Sequence, residues 1–280
     1  MKKLALFGLI MTMLTALSGC APLKQTAIPV AIDVVIDEAE TLNGTDSLVA
    51  PSIDDKKEDS EDKPKDEVVV KNLPAVFDNK VQFSSQAPLG SWDMPYQETC
   101  EEASLITVAR FFAYQNLDTN IMNSELFGVI EWEKKTWNLY TDTNVEEVAS
   151  MARKYFGLQA EVVTDVSVDR IKQELVSGKL VVAPFAGRML GNQFFSGKGP
   201  IYHMLVIRGY DRSNFITNDV GTRHGEAYKY PYDRLIKAMH DLPNNVDGTV
   251  FRPYDDQSRT DEEKEAFMAT GRKAMIVLSE

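Results

Sequence analysis

Cys100, His203 and Asp219 are the residues whose types and spacing point to nucleophilic chemistry in this chain. Cys100 follows the turn-like run Trp92-Asp93-Met94-Pro95-Tyr96 and opens the segment CEEASLITVARFFAYQ, apolar around most of its circumference. Such a segment reads as a helix buried at the centre of a domain. In its first turn, unpaired amide groups and the helix dipole favour a thiolate over a thiol. A thiolate there attacks a carbonyl carbon, provided that an imidazole stands beside it. Glu101 and Glu102 suit a first helical turn but would raise the thiol pKa if they faced the sulfur. Both are therefore expected to point away.

His203 heads the run YHMLVIRGY, a predicted strand whose alternation puts His203, Leu205 and Ile207 on one face. Asp219 comes sixteen residues later, near the end of the next predicted strand. A hairpin turning at Asp211–Ser213 sets the two strands side by side, with the aspartate in reach of the imidazole. It would orient the ring and stabilise its charged form. Gln86, fourteen residues before the cysteine, offers an amide that can hold a tetrahedral oxyanion together with the Cys100 N–H. Gln97 is a rival, although three residues from the nucleophile it reaches back with difficulty. Taken singly, a buried cysteine is more often a small hydrophobe, and a strand histidine more often a satisfied core residue.

Several elements must position these groups. Helices are predicted at Cys100–Gln115, at Asn144–Phe156 with Asn144 or Thr143 as N-cap, at Ser167–Val176 and at Tyr232–His240. Strands are predicted at Leu158–Thr164, Lys179–Ala186, Tyr202–Tyr210, Asn214–Val220, Gly225–Tyr230 and Arg272–Leu278. Helices followed by an antiparallel sheet make an α+β domain. The glycine-rich run Gly187–Pro200 lacks the Ser or Thr that a Walker loop needs after its lysine, and no helix is expected after it. It is expected to be a mobile loop whose Phe194 and Phe195 line a cleft. Trp132 and Trp137 are expected to pack in the helical part.

Gln86, Cys100 opening an apolar helix, His203 in HMLVIRGYD and Asp219 in ITND together resemble the C39-like peptidase family. The resemblance covers roughly Leu73 to Glu280. It implies a papain-like cysteine peptidase fold, with a central Cys-bearing helix packed on an antiparallel sheet. It also implies a cysteine peptidase-like hydrolase with Cys100, His203, Asp219 and Gln86 as catalytic residues. Two departures stand out: the family carries glycine directly after the cysteine, where this chain has Glu101, and its glutamine stands closer than fourteen residues. An insertion containing Trp92 would absorb the second. Because Cys–His–acid chemistry does not fix the acceptor, transglutaminase-like acyl transfer, cell-wall amide hydrolysis and a catalytically inactive binding protein stay open.

The N-terminus addresses location. Lys2 and Lys3 precede an apolar run, Leu4 to Leu17, of a length that suits a signal-peptide core. It ends in Leu17-Ser18-Gly19-Cys20, which resembles the lipobox of bacterial lipoproteins. That resemblance implies a signal peptide over 1–19 and lipidation of Cys20, whose acyl chains (palmitate among them) anchor the mature chain to a membrane outside the cytoplasm. Residues 20–72 are expected to be a disordered acidic linker, SIDDKKEDSEDKPKDE being nearly devoid of apolar residues. The domain proper is 73–280. The chain has two cysteines, so a lipidated Cys20 leaves Cys100 without an intramolecular partner. An unpaired thiol in an exported protein is unusual and invites a functional explanation. The net charge of -12 argues against nucleic-acid binding. Three histidines without ligand spacing and no second free thiol argue against a metal, and no cofactor is expected. The expected partners are a peptide or protein substrate and the membrane, with the protein a monomer.

Overall fold

Two runs without a polar face set the centre of the sheet. The computed structural model describes residues 73–138 and 140–280; Cys20, the predicted signal peptide and the predicted linker lie outside them. LVVAPFA forms β3 (Leu180–Ala186) and YHMLVIRGY forms β4 (Tyr202–Tyr210), each buried along its whole length. They pair antiparallel, with Phe185 opposite His203. β7 (Met275–Ser279) lies on the other side of β3 and carries β2 (Gln159–Val163) beyond it. β5 (Asn214–Asn218) and β6 (Tyr228–Pro231) extend the sheet past β4. The order is β2-β7-β3-β4-β5-β6, and β1 (Phe77–Asp78) pairs with the end of β4. Every pairing is antiparallel.

α1 (Cys100–Phe112) packs on β4, with Ser104 Oγ 3.5 Å from the Met204 carbonyl oxygen. It stops short of Gln115 because Tyr114 adopts a left-handed φ of 53°. The N–H groups of Tyr114 and Gln115 turn back to the carbonyls of Phe111 and Arg110, a Schellman closure. α2 (Thr119–Trp137) was not anticipated as a helix. Its buried residues Met122, Leu126, Val129, Ile130 and Glu133 follow the helical repeat, and Asp118 Oδ1 caps it by accepting the Asn120 and Ile121 N–H groups.

α3 (Val145–Lys154) starts at Asn144 with a capping box closed by Glu147, and α4 (Val168–Val176) is capped by Ser167. The first residues of the glycine-rich run make a helical turn, α5 (Gly187–Leu190). α6 (Tyr232–Ala238) follows β6, and α7 (Asp261–Met268), also unanticipated, precedes β7. The result is the expected α+β arrangement, with a Cys-bearing helix on an antiparallel sheet.

The segment before Gln86 is fastened by one buried arginine. Arg208 on β4 donates to Asp78 Oδ1 at 2.8 Å, to the Val81 carbonyl at 2.7 Å and to Asn218 Oδ1 at 3.1 Å. Asn218 in turn donates to the carbonyls of Val81 and Gln82. Burial works against the charge on Asp78, but its bonds to Arg208 and Lys80 win and hold its pKa down to about 2. Without Arg208, Asp78 keeps the exposed Lys80 as its charged partner, and the Val81 carbonyl and Asn218 Oδ1 lose a buried donor. We expect Arg208→Ala to cost about 3 kcal/mol in urea unfolding. The carboxyl is the weaker acid when unfolded, with a pKa near 4. This contribution is therefore full above that value and lost as the pH falls through about 2. Asp78→Asn should abolish that acid-side slope, and an unchanged slope would show that the ion pair contributes nothing.

Candidate active site

Cys100 is the first residue of α1 and is 5% exposed. Thr99 stands at the N-cap but does not cap; its hydroxyl donates to the carbonyls of Tyr96 and Gln86 instead. The first N–H groups of the helix are thus left without a side-chain acceptor, as an oxyanion site requires. The thiol is not placed as the sequence suggested. It donates to Glu101 Oε2 at 2.9 Å, while Glu101 Oε1 accepts the Thr143 N–H at 2.7 Å. The expectation that Glu101 points away is thereby corrected, whereas Glu102, also buried, sets its carboxyl beside Glu133 rather than on the sulfur. The loop before α3 supplies amide and hydroxyl donors that draw Glu101 inward.

A set of carboxyl groups surrounds this first turn. Burial, and then the charge of Asp142, pushes Glu98 up to about 10; burial pushes Glu133 up to about 8. Burial also raises Glu102, chiefly with Glu133 beside it, and Asp142. Glu101 is raised by burial, Glu102 and Asp142. The Cys100 thiol is pushed well above its ordinary value by burial, then by Glu101. At rest the nucleophile candidate is a neutral thiol, so the helix dipole alone does not ionise it.

His203 and Asp219 meet as the hairpin predicts. His203 Nε2 lies 2.7 Å from Asp219 Oδ1, with both side chains almost fully buried. Gly221 N–H donates to the same oxygen at 3.1 Å. The other carboxylate oxygen accepts from Tyr230 Oη at 2.5 Å and from Asn192 Nδ2 at 2.8 Å. Burial disfavours the charge on Asp219, but His203 and these hydrogen bonds outweigh it and keep the pKa below the usual carboxylate value. Two glycines make room for the pair. A Cβ on Gly221 would stand 2.6 Å from His203 Cε1, and one on Gly225 would stand 1.8 Å from the Asp219 carbonyl oxygen.

Cys100, His203 and Gln86 line one cleft of about 680 Å³. Trp92, Phe194, Phe195 and Tyr254 supply its aromatic wall. Phe195 meets His203 edge-on with ring centroids 5.4 Å apart, and Phe194 lies against His224. Asp219 stands behind His203 rather than in the cleft. Among the described residues the hydrogen bond of the Cys100 thiol goes to Glu101, and His203 is held through Asp219.

Gln86 reaches the cleft because Gln86 N–H and Ser85 Oγ donate to the Val220 carbonyl beside Asp219. Its Nε2 donates to the carbonyls of Tyr96 and Gln97 at 2.8 and 3.2 Å, and its buried Oε1 has no partner. An oxyanion role asks Nε2 to release one of those carbonyls. Gln97 also lines the cleft but is exposed. His240 lies apart, Nδ1 2.6 Å from the Gly271 carbonyl oxygen. Among the described residues no three His, Cys, Asp or Glu side chains are grouped to hold a metal ion.

Asn192, Tyr230, Glu98 and Asp142 were missed by sequence reasoning. The partial signal was Asn192 within the glycine-rich run; nothing in local sequence ties Tyr230 or Asp142 to the site.

A model of the Peptidase_C39 like family matches residues 78–242, the stretch that carries Gln86, Cys100, His203 and Asp219. A crystal structure of a C39-like peptidase assignment from Bacillus anthracis is 13% identical and has a TM-score of 0.41. That likeness covers 72% of this chain and 96% of the other. No curated protein matches the chain.

Proposed function

The chain belongs to the Peptidase_C39 like family, and from that premise we propose that it is a thiol hydrolase that cleaves peptide or amide bonds. Its papain-like α+β fold brings a helix-opening cysteine and a strand histidine to one cleft. The observation that carries the proposal is the His203–Asp219 contact of 2.7 Å behind the cleft that Cys100 lines.

In the proposed cycle the Cys100 proton passes to His203 as the sulfur attacks the substrate carbonyl. Asp219 holds Nε2 and stabilises the imidazolium, which leaves Nδ1 for the thiol side. The N–H of Cys100, with Gln86 once its amide is freed, receives the negative oxygen. The tetrahedral intermediate collapses as the C–N bond breaks, and the proton on His203 goes to the leaving amine. Water then attacks the thioester, giving its proton to His203; release of the acid returns that proton to sulfur. We also propose that lipidated Cys20 tethers this activity to the outer side of a bacterial membrane.

The Glu101–thiol contact favours one second reading, a papain-like fold kept for binding with its thiol masked. Full-length mature protein incubated with a peptide mixture separates the two. Amine release that disappears in Cys100→Ala is the expected result. Release unaffected by that change, or none from peptides that demonstrably bind, would overturn the hydrolase. Cross-linked product without free acid would redirect the proposal to acyl transfer.

A further inference from the structure

Asp219 is the most fully coordinated carboxylate near the cleft, and one of its donors belongs to the wall that substrate meets. Asn192, 6% exposed, follows α5 in the glycine-rich run. Its Nδ2 donates both to Asp219 Oδ2 and to Tyr230 Oη, each at 2.8 Å. The rest of the same residue shapes the next turn: Oδ1 accepts the Phe194 N–H at 3.0 Å, and its carbonyl accepts the Phe195 N–H at 3.1 Å. Phe195 then packs its edge toward His203. One side chain therefore joins the acid behind the histidine to the aromatic wall in front of it. The run predicted to be a mobile loop is tied to the site at this point.

We propose that Asn192 is a positioning residue that couples the His203–Asp219 pair to the Phe194–Phe195 wall of the cleft, with Tyr230 bracing the same carboxylate oxygen. This rests on the hydrolase reading. Without both donors Oδ2 would be a buried, unpaired charge, and the carboxylate would be free to rotate away from His203. Tyr230 cannot substitute for Asn192, because it touches the acid but not the turn. The titratable groups around the carboxylate are His203 from β4 and Tyr230 from β6, with Tyr228 beside Tyr230.

The two functions separate experimentally in the full mature chain. Alkylation of Cys100 by iodoacetamide reports on the ionising machinery, whereas an aromatic peptide electrophile also reports on the wall. Tyr230→Phe should shift the pH profile of both reagents and leave their rate ratio unchanged. Asn192→Ala should shift the profile and also lower the peptide-to-iodoacetamide ratio, by up to about tenfold for loss of the neutral hydrogen bond to the Phe194 N–H. Asn192→Asp, close in shape, loses the amide donor to Asp219 but keeps an acceptor for the Phe194 N–H, so it should shift the profile with the ratio unchanged and guards against a folding defect in the alanine variant. If Asn192→Ala keeps the wild-type ratio, or both Asn192 variants keep the wild-type profile, while His203→Ala changes the profile, the coupling is wrong and the hydrolase reading stands. If His203→Ala changes nothing, the hydrolase reading itself fails.

Discussion

Replacing His203 by alanine is expected to slow modification of Cys100 by an electrophilic peptide by about a hundredfold near neutral pH, the lower end of general-base contributions. Burial and Glu101 keep the sulfur protonated, so reaction needs a group that takes its proton. His203 is the cleft-lining side chain whose ring is aligned from behind by a carboxylate. Alanine removes that acceptor and leaves Asp219 buried against Tyr230 and Asn192. Mass-spectrometric counting of labelled protein over time gives the rate directly. Equal rates for the two proteins would remove His203 from the mechanism and favour the binding reading.

The reverse change is expected at the neighbouring acid. Glu101→Gln should speed alkylation near neutral pH by between ~10-fold and ~100-fold, since a charge within hydrogen-bond distance is worth a few kcal/mol even in a moderately polar site. The sign follows from the group beside the sulfur. A thiolate formed beside Glu101 has a carboxylate as its neighbour or competes with it for one proton, and burial together with Glu101 raises the thiol pKa, which a neutral glutamine does not do. Glutamine keeps an oxygen for the Thr143 N–H, so the inward contact survives. Its amide faces the sulfur as a donor and stabilises the thiolate. The pH profile of alkylation should move to lower pH without loss of thermal stability. A profile that stays in place would show that Glu101 does not control the thiol, and slower alkylation would make Glu101 itself the proton acceptor.

These two results bear on the same physical question, which is how a buried thiol becomes a nucleophile. The helix start contributes unpaired N–H groups, yet the surrounding carboxyl groups oppose ionisation. In the proposed mechanism His203 therefore acts as a base on a neutral thiol, rather than as one half of a resting ion pair.

Local sequence was sufficient for the elements that bear the chemistry. β4 has the predicted boundaries, because a run dominated by apolar and β-forming residues ends at a turn held by Asp211. The cap of α3 was legible as Asn144 or Thr143, of which the structure selects Asn144, and Gly178 closes α4 with a φ of 88°. The pairing of His203 with Asp219 followed from strand alternation and one short hairpin, since both operate over a few residues. α2 was overlooked although its stripe is regular, because Glu133 occupies a core position that a hydrophobic reading leaves blank.

The tertiary structure alone decided what stands around the cysteine. Cys100 at the head of a buried helix was readable. The inward turn of Glu101 was not, because Thr143 lies 42 residues away in sequence and no local rule connects them. The same holds for Asn192 and Tyr230, which reach Asp219 from two other elements. Sequence determines which groups can ionise and where helices and strands begin. The direction in which a buried group's pKa moves depends on its burial and on neighbours brought together by long-range packing, and those exist only in the folded chain.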